Sequence, residues 1–585
     1  MYRILRQSTI CIPINYHHVS RPIKPIRRSF SIQHSTQFPL KTISASIALT
    51  FSFYLCSQHS VKAEATKSSS PQATLTDLYM EETDPSLQTK TTTELAIALF
   101  VYQLCSFPWL VDSAPSIIAA SERFHLQTPL YWFLRHTFFH HFCGGQSSDE
   151  CKSIMERLAS SDIRCILDLS IEADLSEKSS ENEQGADVIL EKILTSIRTA
   201  GSGERFNAMV AIKITAFIPP KLLLRLSQCL NRLDQSFLEH QENGVISAQG
   251  ISRVVQDLLP PAQDREQQNK RQLILDHLSR KKGTLDLLEF RKLFDLQGPG
   301  RDIWWKTSRK EESILTCKDL EAYDRMMNRV NQACSLAHQL NVGIMVDAEQ
   351  SYFQNAIDHV AINFQRKYNH QAGQAPTVFN TYQMYTKSSR ERLELDVALS
   401  KRENFVFAAK LVRGAYMISE RKRARELNYP SLIHDSLKDT HDSYNGGIRF
   451  LLNELHQQTL EKPLSVTNSP IVFMVASHNR ESVMLTIEEM ERNQISPHSG
   501  VVLFGQLFSM KDQISYTLAR HGYATYKYLP YGLVDEVIPY LLRRAQENSA
   551  VLCSVSQERR LIWNELKRRM FGRTSITTEK PVNSA

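Results

Sequence analysis

The chain has 585 residues, 42% of them hydrophobic and 22% charged, an ordinary globular balance that excludes a collagenous, coiled-coil or wholly disordered protein. Its formal net charge is +7, but Arg3, Arg6, Arg21, Lys24, Arg27 and Arg28 supply most of that excess, so the folded body is nearly neutral. A nucleic-acid binder keeps its positive charge on the body, and no nucleic-acid partner is expected.

Met1 to Ala63 contains no Asp or Glu, and the first carboxylate is Glu64. A basic, acid-free segment rich in Ser, Thr and His has the composition of a mitochondrial presequence. Arg28-Ser29-Phe30-Ser31 resembles a matrix-processing site, and residues 1–75 are read as a targeting and disordered segment. Residues 76–160 follow as a helical N-terminal region. Two apolar stretches invite comparison with a membrane span, which needs roughly 20 residues, and neither qualifies. Ile43 to Cys56 is short and rich in Ser and Thr, leaving only a short anchor open. Leu95 to Ala120 is broken by Pro108, Asp112 and Pro115. The ten cysteines form no CxxC pair, so they read as reduced structural thiols, and no metal site is expected.

Beyond residue 160, short β-branched apolar runs alternate with helical stretches. The runs are 163–169, 209–215, 342–346, 376–381, 405–412, 471–476, 501–504 and 523–528. Buried strands alternating with amphipathic helices predict a parallel sheet. Eight such units favour a (βα)8 barrel of the TIM type over an open sheet. Polar residues close most runs: Lys213, Asp347 with Glu349, Gln383, Lys410 with Arg413, Ser477-His478-Asn479, Gln506 and Tyr528. A polar residue after a strand is ordinarily a cap or a turn former. In a barrel, however, all of these lie at the C-terminal mouth, where such folds build their sites.

The gap from Ala216 to Asn341 is too long for a connection, and 217–340 reads as an inserted helical domain dividing the barrel into 161–216 and 341–570. Within it, Glu239–Gly250 and Leu278–Glu289 carry the sixth-position glycine (Gly244, Gly283) and eighth-position aliphatic (Ile246, Leu285) of EF-hand loops. Their ligand positions are poor. Gly250 stands where a bidentate Glu belongs, and Leu278, Arg280 and Lys282 stand where oxygens should be. The insert is therefore EF-hand-like, kept for structure. Residues 571–585 read as a disordered tail.

After the eighth run, D-E-V-I-P-Y-L-L-R-R-A-Q-E-N places Tyr540, Arg543, Arg544 and Glu547 on one helical face. Adjacent arginines a turn from a tyrosine suit a carboxylate better than lysines would. Taken alone, the same face is also what a solvated charged helix presents.

These segments resemble the proline dehydrogenase family in its eukaryotic mitochondrial form. The matching stretches are A-I-K-I-T-A (211–216), M-V-D-A-E-Q (345–350), F-N-T-Y-Q (379–383), A-K-L-V-R-G-A-Y (409–416), V-A-S-H-N (475–479), F-G-Q-L (504–507), Y-K-Y-L-P-Y-G (526–532) and P-Y-L-L-R-R-A-Q-E-N (539–548). The resemblance implies a distorted (βα)8 barrel that holds FAD and oxidises L-proline to Δ1-pyrroline-5-carboxylate. It implies electron transfer to ubiquinone, with the protein in the mitochondrial matrix and in peripheral contact with the inner membrane. By resemblance, Lys213, Arg543 and Arg544 hold the substrate carboxylate, and Tyr416, Leu507, Tyr528 and Tyr540 enclose the ring. Asp347 and Glu547 support that wall, and Glu172 forms part of a lid. Lys410 and Gln383 approach the flavin, Val412, Arg413, Gly414 and Ala415 follow the ribityl-pyrophosphate, and Ser477, His478 and Asn479 lie nearby. The crowding of Lys213, Arg543 and Arg544 is expected to repel, a repulsion the substrate carboxylate relieves. Two residues depart from many bacterial members, Lys410 for arginine and Met417 for tryptophan. The related hydroxyproline dehydrogenases tend to carry a smaller residue than Tyr528, so the tyrosine favours proline, with 4-hydroxyproline oxidation the alternative.

Overall fold

The computed structural model describes residues 71–79, 84–170, 183–203, 208–258, isolated positions between 264 and 272, 283–298 with 301, 315–370, 373–459, 463–550 and 552–571. Residues 1–70, with the 43–56 stretch, Glu172 and the 572–585 tail lie outside the described residues. The end of the segment read as disordered is ordered instead: Pro71–Tyr79 is a helix whose Leu75 and Leu78 are buried in a core shared with barrel strands.

All eight apolar runs form parallel strands of one closed barrel. With two short strands of the 217–340 segment counted in chain order, the barrel strands are β1 (Ile163–Leu169), β2 (Met209–Ile212), β5 (Gly343–Val346), β6 (Val378–Gln383), β7 (Phe407–Val412), β8 (Ile471–Ala476), β9 (Val502–Leu507) and β10 (Ala524–Tyr531). Their order around the barrel is β1-β10-β9-β8-β7-β6-β5-β2. Nearly every strand residue is buried, because one face meets the barrel interior and the other meets the helix layer. Ile166, Met345, Phe379, Met474, Leu503 and Tyr526 fill the interior, so the barrel is packed and the chemistry is left to its rim.

Two strand ends differ from the periodicity. The run expected over 209–215 stops at Ile212, where the chain enters a 3-10 turn, Ile214–Ala216. The last strand runs past Tyr528 to Tyr531 and pairs with β1 over its full length, from Ile163 opposite Thr525 to Leu169 opposite Tyr531. Pro530 ends a sequence-based strand but not this one, since its carbonyl still accepts from Gly144 N at 2.8 Å.

The N-terminal region contains helices α1 (Thr92–Cys105), α2 (Pro108–Arg123), α3 (Gln127–Leu134) and α4 (Lys152–Ala159). A capping box between Thr91 and Glu94 starts α1. The 95–120 apolar stretch is two helices bent by 93° at the Pro108 break, and no single described helix is long and apolar enough to cross a membrane. A π-helical turn, Arg135–Phe139, follows α3.

In the segment between β2 and β5, helix α5 (Pro220–His240) packs on α6 (Ser351–Tyr368) of the barrel's helix layer. β3 (Val245–Ser247) and β4 (Thr284–Asp286) form an antiparallel pair with Ile246 opposite Leu285. Gly244 and Gly283 precede these strands with φ of 85° and 71°, left-handed values that favour glycine. Phe237, Phe290 and Phe294 pack ring against ring at tilted angles within this segment and belong to the same apolar cluster as barrel residues such as Leu167 and Val346.

Helix α7 (Ile538–Ala550) packs against α1 and α2; Val537, just before it, and its Tyr540, Leu541 and Ala545 share a core with Val101, Cys105 and Val111. Arg543, Arg544 and Glu547 are carried on this helix.

Candidate active site

The centre of the C-terminal mouth is Asp347, just past β5 and buried. Its Oδ1 accepts from Lys410 Nζ of β7 at 2.5 Å, and its Oδ2 accepts from the Tyr528 hydroxyl of β10 at 2.5 Å. Lys213 Nζ lies 4.0 Å from the same Oδ2. Burial alone pushes this carboxyl up, but Lys410, Lys213 and the two hydrogen bonds outweigh it and hold the group below the usual carboxylate range. Lys410 also sits 5.3 Å from the Tyr528 ring centre, so four strand ends meet in one charged cluster.

The sequence reading missed Asp168. Lys213 Nζ donates to its Oδ1 at 2.7 Å, and Ser170 Oγ donates to its Oδ2 at 2.7 Å. Lys213 thus stands between two carboxylates, Asp168 and Asp347. Asp168 was detectable as the one carboxylate inside the apolar run I-R-C-I-L-D-L, but β1 was the run without a polar end, and polar ends were the signal followed.

A second group rides on α7. Arg544 is buried, donates through Nη2 to Glu547 Oε1 at 2.5 Å, and lies 5.0 Å from the Tyr540 ring centre. Its Nε and the Tyr540 hydroxyl are buried with no hydrogen-bond partner among the described residues. A buried guanidinium edge and a phenol left open together call for an acceptor such as a carboxylate. Burial pushes the Glu547 carboxyl up while Arg544 and Arg543 pull it down. Arg543, one position along, is half-buried. Tyr416 lies between β7 and the helix Met417–Glu426, and Leu507 closes β9.

Of the residues expected near a cofactor, Gln383 ends β6 and donates to the Glu349 carbonyl at 2.7 Å. Glu349 accepts from Thr215 N at 3.1 Å and Thr215 Oγ1 at 2.6 Å, and burial pushes its carboxyl up to about 7. Val412, Arg413, Gly414 and Ala415 form the turn after β7. Arg413 donates to His441 Nδ1 at 2.6 Å and to Ser482 Oγ at 2.5 Å, and lies 4.0 Å from the Tyr444 ring centre. Asn479 caps the following helix, its side chain accepting from Ser482 N at 2.8 Å, while Ser477 Oγ accepts from Asn479 N at 3.1 Å. Ser482 therefore joins the two turns. Gln506, by contrast, is committed to Ser477 O and Ser515, an ordinary structural role.

FAD fits these turns on three observations. His478 Nδ1 and Arg413 Nε are buried without partners among the described residues. Gly414 has φ of 82° and open space where a side chain would stand, Met417 Sδ being the nearest atom at 4.0 Å. Burial first, then Lys527, Arg544 and Lys511, hold the His478 imidazole down at about 3, so it is neutral.

The family model "Proline dehydrogenase" matches residues 151–557. The chain belongs to the proline dehydrogenase family. It is 31% identical over 567 residues to "Proline dehydrogenase 1, mitochondrial" of Drosophila melanogaster, covering 86% of this chain and 82% of that one. It is likewise 31% identical over 485 residues to the "Hydroxyproline dehydrogenase" of Xenopus laevis, covering 82% and 88%. Overall identity therefore does not separate the two substrates within the family. Among solved structures, proline utilization A from Bdellovibrio bacteriovorus superposes with a TM-score of 0.51 at 13% identity, which shows the shared fold. That likeness covers 86% of this chain and 43% of that longer one.

Proposed function

We infer that this chain is a mitochondrial, FAD-dependent oxidoreductase that oxidises L-proline to Δ1-pyrroline-5-carboxylate and passes the electrons towards a quinone. Family membership carries the reaction class. The observation that carries the substrate is buried Arg544, whose open Nε stands beside the open hydroxyl of Tyr540. Arg543, Arg544 and Lys213 bind the substrate carboxylate, and Tyr416, Leu507, Tyr528 and Tyr540 enclose the pyrrolidine ring and exclude water. Asp347 positions Lys213, Lys410 and Tyr528, and Glu547 orients Arg544. Lys410, Gln383, Val412, Arg413, Gly414, Ala415, Ser477, His478 and Asn479 hold FAD. Bound FAD supplies the hydride acceptor; the protein's task is to orient the substrate carbon and keep its amine neutral.

The preference for proline over 4-hydroxyproline rests on Tyr528, whose ring is held by the hydroxyl bond to Asp347. An anaerobic visible spectrum is expected to show oxidised flavin that bleaches with L-proline and far less with 4-hydroxyproline. Tyr528→Ser is expected to narrow that difference by about tenfold through lost steric exclusion; unchanged selectivity removes Tyr528 from the specificity assignment.

Peripheral contact with the inner membrane is supported by the exposed aromatic residues Trp109 of α2, Phe124 of the turn after it and Trp132 of α3. Segment 217–340 is assigned as an EF-hand-like insert on the paired strands β3 and β4 and the left-handed Gly244 and Gly283 before them. With Gly250, Leu278, Arg280 and Lys282 at ligand positions, it is a structural unit without calcium. Equilibrium dialysis should retain no calcium; tight retention overturns that assignment.

A further inference from the structure

A cavity of about 540 Å³ lies outside the barrel, between the start of α1, the π-helical turn, α4 and the chain after β9. One strand separates it from the active site. On β10, Tyr528 reaches Asp347 in the mouth, whereas its neighbour Lys527 lines the cavity and donates to Met510 O at 2.8 Å. Cys143, also in the cavity wall, shares an apolar cluster with Tyr540 of the active site.

The charges on the inner wall of the cavity are committed to one another, whereas Arg135 stands exposed at its mouth. Asp512 lies between Lys90, at 2.5 Å, and Lys527, at 2.6 Å, and Arg157 pairs with Glu94. An anionic ligand would have to break these pairs. The buried polar side chain left over is His141, which is 6% exposed, lines the cavity and has no partner for Nε2 among the described residues. It packs edge-on against Tyr102, with ring centres 5.2 Å apart, and against Phe142 at 4.5 Å. Burial foremost holds its imidazole down at about 3, so it is neutral. An apolar-flanked, neutral hydrogen-bonding group in a cavity of this size suits a neutral ligand with carbonyl oxygens.

The surroundings of the mouth narrow the ligand further. Arg135, His136 and His140 line the cavity and are exposed. They continue into the uncovered Trp132 and Phe133, with Phe124 and Leu126 also exposed nearby in sequence. The wall between them is the π-helical turn Arg135–Phe139, an irregularity that frequently marks functional positions.

We propose that this cavity is the binding site for the head group of a lipid-soluble quinone, with the apolar tail lying along the exposed α2–α3 surface. The proposal rests on the quinone-acceptor reading above and gives it a place. Proline oxidation releases two electrons and two protons; the quinone takes up two electrons, and each of its carbonyl oxygens takes one proton from solvent at the mouth, giving the quinol.

The test uses the full holoenzyme and a photoreactive azido derivative of a short-tailed ubiquinone. Cross-linking should fall within 132–145 and be displaced by excess unlabelled short-tailed quinone; labelling confined to barrel-mouth segments overturns the proposal. Ser153→Trp, at the cavity wall, should lower the ratio of short-tailed quinone turnover to artificial-dye turnover by about tenfold or more through steric exclusion. A ratio within about twofold of wild type also overturns it. Cross-linking needs no proline, so failure of flavin to bleach with proline refutes the substrate reading alone and leaves the site to be decided by the label.

Discussion

Glu349 is held in a state its own chemistry disfavours. It lies two residues beyond Asp347, yet burial pushes its carboxyl up to about 7 whereas the Lys410 and Lys213 ammonium groups hold Asp347 down. The contrast comes from placement: Asp347 faces two ammonium groups, while Glu349 faces the Thr215 backbone and hydroxyl. Because the folded-state value of Glu349 lies above its unfolded value, the folded protein retains a proton that the unfolded chain releases. Its stabilising contribution is therefore full below about pH 4.5 and is lost as pH rises through about 7. Glu349→Gln should remove that dependence. Melting curves between those pH values should show wild type losing up to about 3 kcal/mol relative to the variant, at 1.36 kcal/mol per pH unit. Parallel profiles for the two proteins would mean that Glu349 titrates normally.

At the scale of elements, the site consists of strand ends held by turns. The turn after β7 depends on Gly414 at φ of 82°, where the space beside it is open, so replacing it costs backbone strain and not a clash. Gly414→Ala should destabilise the protein by about 1–2 kcal/mol and reduce the FAD retained per chain. Thermal melts and the flavin-to-protein absorbance ratio measure the two effects. Full flavin retention would exclude this turn from the cofactor site. The link between this turn and the Ser477–Asn479 turn passes through Ser482, a residue not singled out by its sequence context. Such a link is formed between loops of adjacent strands, and sequence spacing does not report it.

Across the whole molecule, the N-terminal helices are part of the machinery. Lys90, ahead of α1, reaches Asp512, which also holds Lys527 of β10. Asp512 is thus a buried clasp between the N-terminal region and the barrel. Burial pushes its carboxyl up, but the two lysines more than offset this and hold it well below the usual range. Asp512→Asn leaves the buried Lys527 and the half-buried Lys90 without the carboxylate they share and should cost about 3–5 kcal/mol. A loss below about 1 kcal/mol by chemical denaturation would show that the lysines find water instead.

The eight-unit alternation, the break at Pro108 and the helical face bearing Tyr540, Arg543 and Arg544 were all legible in the sequence. Each is a local consequence of periodicity, proline chemistry or 3.6-residue spacing. The polar strand ends were legible too, because barrel geometry sends every one of them to the same rim. Tertiary structure alone decided which of them meet: Asp347 as the shared partner of Lys410 and Tyr528, Asp168 as the counter-ion of Lys213, and Gln506 as structural. It alone opened the cavity behind β10, whose walls come from residues more than 400 positions apart in the chain. Periodicity reports which face of an element is apolar. Pairing among buried charges depends on distances across elements, and these exist only once the barrel has closed.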